Sequence, residues 1–188
     1  MKSNGPFLLY EEHDMAKLTP PHDPIEALGE AYELLLEKAL EKARKAKAVS
    51  GPALHKIIDE TSESLSALGE LSDEEAAKLS SYLKRDLQQA AGYMEKTGSE
   101  FKKWLAIDTA MIEDYLFERF KQAADQTKIE LTQLRQVAEN AEYHSGEISG
   151  PGILICDSCG EQLHFHKAGH IPPCPKCKHG HFHRLHCV

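Results

Sequence analysis

The chain has 188 residues, with 22 Lys and Arg against 30 Asp and Glu, a formal net charge of −8. That balance excludes a uniformly basic nucleic-acid coat and leaves room only for a local patch. Apolar residues make up 41%, aromatic residues 7% and charged residues 28%, which is thin for a thick globular core and ordinary for long solvated helices.

The composition divides the chain in two. Residues 1–143 hold 27 acids and 18 bases, whereas residues 144–188 hold 3 acids and 4 bases. The second part also contains all five cysteines and eight of the eleven histidines. The expected organisation is a mobile tail over 1–22, a helical domain over 23–143, a linker over 144–151 and a zinc ribbon over 152–188. No apolar run approaches the about 20 residues of a membrane span. The N-terminus has no apolar stretch ended by a small-residue cleavage site, so a secretory signal is not expected. A cytoplasmic protein with no membrane partner is the corresponding expectation.

In chain order, residues 1–22 carry Pro6, Pro20 and Pro21 and little periodicity. Phe7, Leu8, Leu9 and Tyr10 form a short apolar cluster there. Asp23 followed by Pro24 marks a helix start, because proline fits the first helical position, where its missing N–H would be unpaired anyway. Leu28, Tyr32, Leu35, Ala39 and Ala43 form its apolar stripe. Lys38, Lys42, Arg44, Lys45 and Lys47 near its end match the helix dipole. Ser50-Gly51-Pro52 breaks it. Leu54, Ile57, Ile58, Thr61, Leu65 and Leu68 outline a second helix, which stops near Gly69.

Ser72-Asp73-Glu74-Glu75 is a capping box, in which serine and glutamate satisfy each other's free backbone donors. The helix behind it carries Leu79, Leu83, Leu87, Ala90 and Met94 on one face. After a weak break at Thr97-Gly98-Ser99, a fourth helix is expected from about Glu100 to Tyr143. Its first half is crowded with Phe101, Trp104, Leu105, Met111, Ile112, Tyr115, Leu116 and Phe120. Its second half is thinner, with Ile129, Leu134, Val137 and Ala141. The crowded half reads as packing core. A single rod over 73–142 would be about 105 Å long and would need partners along its length. The expected fold is therefore mainly α: an antiparallel helical hairpin or small extended bundle, coiled-coil-like, with a small C-terminal β zinc ribbon. Self-association through the helices fits such an architecture.

Cys156, Cys159, Cys174 and Cys177 have the spacing C-x2-C-x14-C-x2-C. Two cysteines two residues apart face one ion if the backbone turns tightly between them. Gly160 allows such a turn and Pro175 stiffens its counterpart. Two such knuckles supply four thiolates to one tetrahedral, structural zinc ion. Iron is the rival metal, and two disulfides or a redox pair are the rival chemistries. Strands are expected over 152–155, 162–166 and 181–185. A piece with so few apolar groups needs the metal for folding.

His164, His166, His179, His181, His183 and Cys187 raise a further idea, a second and weaker metal site. Exposed polar positions on a small ribbon are the plainer explanation.

Tyr143-His144-Ser145-Gly146-Glu147, Gly152, Leu154 and the two cysteine pairs form a recognisable pattern. Together with Leu83-Lys84-Arg85-Asp86-Leu87, it resembles a bacterial family of zinc-ribbon-containing proteins of unknown function. The likeness covers about two thirds of the chain. It implies a helical region followed by a C-terminal zinc ribbon in a cytoplasmic bacterial protein. It implies no activity, and nothing about the histidine-rich tail.

No phosphate loop, nucleophile triad or acid/base pair stands out, so an enzyme is not expected. The leading expectation is an interaction or adaptor protein, with ribbon and helices docking on a protein partner. One alternative is RNA or DNA binding through Lys167, Lys176, Lys178, Arg184 and protonated histidines, which the low charge of the ribbon opposes. The other is metal handling by the histidines.

Overall fold

The computed structural model describes residues 24–47, 50–97, 101–106, 112, 114–127 and 142–185. The N-terminal tail, the Asp23 cap, Gly98-Ser99 of the expected weak break, Met111, the apolar positions from Ile129 to Ala141, and Cys187 lie outside these residues. Among the described residues, five helices come first: α1 (Pro24–Lys45), α2 (Gly51–Ala67), α3 (Asp73–Thr97), α4 (Phe101–Leu105) and α5 (Asp114–Thr127). Six strands follow: β1 (Tyr143–His144), β2 (Ile148–Ser149), β3 (Gly152–Cys156), β4 (Gln162–Phe165), β5 (Gly169–His170) and β6 (His181–Arg184).

The helix ends have local causes. The Ser50 side chain accepts from the Ala53 N–H, and Pro52 sits in the first turn of α2. At its other end, Gly69 N–H bonds to Ser66 O and Glu70 N–H to Leu65 O, the paired closure of a Schellman motif. The capping box of α3 is complete: Glu75 N–H donates to Ser72 Oγ at 3.3 Å, and Ser72 N–H to Glu75 Oε2 at 2.9 Å.

Helices α1, α2, α3 and α5 pack on one another as a small bundle. Tyr32, Leu35, Ala39 and Ala43 of α1 are buried against Leu54, Ile58 and Leu65 of α2. Leu79, Leu83, Leu87, Ala90 and Met94 of α3 join the same core. Leu68, read as part of the α2 stripe, is instead 70% exposed, because it lies beyond the last turn.

The expected continuous fourth helix is corrected. It stops at Leu105, and Ala106 takes a left-handed conformation with φ 58°. A separate helix, α5, covers Asp114–Thr127. Burial is the physical reason. Trp104 is fully buried, stacked on Phe120 of α5 at 5.7 Å between centroids and covered on a face by Arg184. A straight rod could not place Trp104 and Phe120 together, since residues sixteen apart on one helix lie about 24 Å apart.

The C-terminal part has a four-stranded antiparallel sheet in the order β1-β6-β3-β4 and a two-stranded sheet β2-β5. The stretch 144–151 therefore enters both sheets. Strand alternation gives the larger sheet two different faces. Tyr143, Phe182, Leu154, Cys156 and Arg184 share the buried face, while His181 and His183 stand exposed on the other.

The buried face seats the ribbon on the helices. Asp86 of α3 and Arg184 of β6 are both fully buried and 3.8 Å apart. Asp86 accepts hydrogen bonds from Tyr32 Oη (2.9 Å), Tyr143 Oη (2.9 Å), Arg85 Nε (3.2 Å) and Gly150 N–H (2.7 Å). Arg184 donates to Tyr143 Oη (3.1 Å), Pro151 O (2.7 Å) and Ser149 Oγ (2.9 Å). These bonds offset the cost of taking two charges out of water. Gly152, at φ 137°, is required here, because a Cβ would lie 2.0 Å from Arg184 Nη1.

Candidate metal centre

Two matching turns build the centre. In the first, Gly160 N–H bonds to Cys156 O (2.9 Å); in the second, Lys178 N–H bonds to Cys174 O (2.9 Å). The fourth residue after the leading cysteine is left-handed in both, with Gly160 at φ 74° and Lys178 at φ 63°. Glycine takes that conformation without strain, whereas lysine does so at a cost of about 1–2 kcal/mol. The sequence shows the need at Gly160 and hides it at Lys178.

The turns bring Cys156, Cys159, Cys174 and Cys177 together, their Sγ atoms all within 4.8 Å of one another. Cys156 Sγ lies 3.5 Å from Cys177 Sγ, and Cys159 Sγ lies 3.6 Å from Cys174 Sγ. A disulfide needs about 2.05 Å, so these are free thiols. A tetrahedral ion with metal–sulfur bonds of about 2.3 Å spaces its sulfurs about 3.8 Å apart. The donor set thus fits zinc by chemistry and by spacing. Cys156 and Cys174 are buried, Cys159 is half-buried and Cys177 is exposed.

The thiols do not share protons evenly. Desolvation raises the Cys174 thiol, but backbone N–H groups of Cys177 and Lys176, together with hydrogen bonds from the Cys159 and Cys177 thiols, bring it down to about 7. At Cys159 the backbone of Glu161 favours the thiolate, but desolvation and the neighbouring sulfurs prevail and push it up to about 12.

The histidines are scattered. His164 lies on β4 beside Ile153, and His183 lies on β6 and pairs with Asp157 Oδ1 at 2.5 Å. His179 and His181 have ring centroids 5.1 Å apart. Among the described residues, no metal-competent group contains His164, His166, His179 or His183. His181 instead meets Glu142 and His144. Sequence reasoning missed those two because the strand pairing of β1 with β6, not the histidine run, brings them in.

Arg184 is also corrected. Expected among phosphate-facing cations, it is buried in the ribbon–helix contact, its charge held by Asp86. Lys176 lies 3.7 Å from Glu161.

The chain is similar to the uncharacterized protein YbeL of Escherichia coli K12, at 29% identity over 133 residues, covering 68% of this chain and 79% of that protein. Likeness to the YbeL proteins of Escherichia coli O6:H1 and O157:H7 has the same extent. No solved structure matches. The zinc-ribbon containing domain family matches residues 41–186, from the second half of α1 past the end of β6. That span takes in both the helices and the cysteine knuckles, and the chain belongs to this bacterial family of unknown function.

Proposed function

We propose that this protein is a non-enzymatic zinc protein that docks on another protein, with its second knuckle as the contact point. The observation that carries this reading is the form of that knuckle. From Pro172 to His179, every residue except the ligand Cys174 is exposed. Behind it, the sheet is tied to the helices through Arg184 and Asp86. A metal-braced loop on an immobile base presents a fixed shape, so little ordering entropy opposes binding. Four thiolates leave zinc no open position for water or substrate, which supports a structural ion.

Nucleic-acid binding draws less support. With Arg184 buried, Lys167, Lys176 and Lys178 are the solvent-facing cations left from the four expected, and Lys176 lies beside Glu161. So few phosphate contacts give weak, salt-sensitive affinity.

The test uses the full chain as bait in nuclease-treated extract of its host, beside a Lys176→Glu, Lys178→Glu variant that keeps its thiolate-bound zinc. Discrete protein partners held by the wild type and lost by the variant are expected. Partners that disappear on nuclease treatment, with RNA or DNA recovered in untreated extract, would move the reading to nucleic acid.

A further inference from the structure

We propose that Glu142, His144 and His181 form a second, solvent-open site for a divalent first-row transition ion, with Zn2+ as its working probe. The ligand atoms of the three residues all lie within 4.8 Å of one another. His144 on β1 stands directly opposite His181 on β6, with ring centroids 4.7 Å apart. His144 Nε2 lies 3.6 Å from Glu142 Oε2.

A second feature sets this group apart from exposed side chains that happen to be close. The other nitrogen of His144, Nδ1, lies 3.1 Å from Glu147 Oε1. When that nitrogen carries the proton and donates to the carboxylate, the lone pair of Nε2 points to the shared space. Metal-ligating histidines are oriented by a carboxylate in this way. Glu147 is itself fixed: it accepts from the His144 backbone N–H at 3.2 Å and from Arg85 Nη1. The largely buried Arg85 guanidinium is in turn held beside Asp86. The orientation of His144 is therefore built into the ribbon–helix contact.

The chemistry selects the ion. Two imidazoles and one carboxylate suit zinc, nickel or copper, whereas magnesium and calcium want oxygen donors. Three protein ligands leave positions for water, unlike the four-thiolate centre. The two sites lie on opposite faces of the sheet. His181 is exposed, while the next residue, Phe182, is buried and pairs with Cys156.

The experiment titrates the full chain, its thiolate centre already loaded, with Zn2+ in a calorimeter, and with Mg2+ in parallel. One further Zn2+ and no Mg2+ binding is expected. His144→Ala and His181→Ala should each weaken that step by at least about tenfold, and Glu147→Gln by about 10–100-fold. His164→Ala and His183→Ala should leave it unchanged. Retention of the first zinc in each variant shows that the ribbon stays folded. In the wild type, substoichiometric Cu2+ should broaden the ring resonances of His144 and His181 before those of His164, which needs no substitution. The proposal fails if no second equivalent binds, if His164→Ala abolishes it, or if it survives loss of both His144 and His181.

Discussion

Asp86 is the residue on which most of the molecule's buried charge depends. It receives hydroxyls from α1 and β1, a backbone N–H from the loop before β3, and the guanidinium of β6. Asp86→Asn keeps the shape but leaves Arg184 charged and uncompensated. It should cost about 3–5 kcal/mol, read from the urea unfolding midpoint of the zinc-loaded protein. A loss below about 1 kcal/mol would mean that the pair is solvated. The tyrosines around Asp86 give a second prediction. Burial pushes the Tyr143 phenol from 10.0 up to about 12, although Arg184 opposes the shift. Burial and Asp86 raise Tyr32 as well. An unfolded chain releases these protons first, so the stabilisation is intact below pH 10 and is lost as pH climbs through 12. The decline should reach about 2–3 kcal/mol for Tyr143 alone. Thermal melts across that window should show it, and should flatten when Tyr32 and Tyr143 are both phenylalanine.

Elements differed in how much of them the sequence reveals. The starts of α2 and α3 were legible because their caps are local chemistry, held by Ser50 and by the Ser72–Glu75 pair. The knuckles were legible because four cysteines at fixed spacing have few other uses. The end of α4 was not, since it is set by the burial of Trp104 beneath a residue eighty positions later. Likewise β1, β2 and β5, two residues each, carry no periodicity of their own and exist through their partners. The family likeness has a spatial explanation. Its two most telling stretches meet: Tyr143 bonds to Asp86, and Glu147 pairs with Arg85. The second knuckle also yields a test of local strain. Lys178→Gly removes a left-handed lysine and should stabilise the zinc-bound protein by about 0.5–1 kcal/mol, measured by denaturant unfolding. No gain, or a loss, would show that the lysine side chain, whose Nζ reaches Pro175 O at 3.4 Å, repays its backbone.

Among the described residues, two cores of unequal size share one polar seam. The helical core is extensive, whereas the ribbon core consists of Tyr143, Leu154, Cys156, Ile171, Cys174 and Phe182. Two of those six, Cys156 and Cys174, belong to the four-cysteine cluster that fits zinc, so the ribbon core is expected to depend on such an ion. Chelation should therefore melt the sheets and withdraw Arg184 from the face of Trp104, where it sits 4.4 Å from the ring. Trp104 is the single tryptophan of the chain, so its emission should shift in step with zinc release while much of the helical circular dichroism remains. An emission unchanged by chelation would show that the seam survives without the ion.

The same seam bears on heredity. Many small metal-bound folds are portable: a gene segment is copied, joined to something new and works at once. Here a cut at residue 142 would leave Asp86 on one product, with Arg85 and Tyr32 but without Tyr143, the Gly150 N–H and Arg184, and would leave Arg184 on the other without its carboxylate. Neither half could be lent to another gene without repair, so the two halves are expected to travel through descent as one inherited unit.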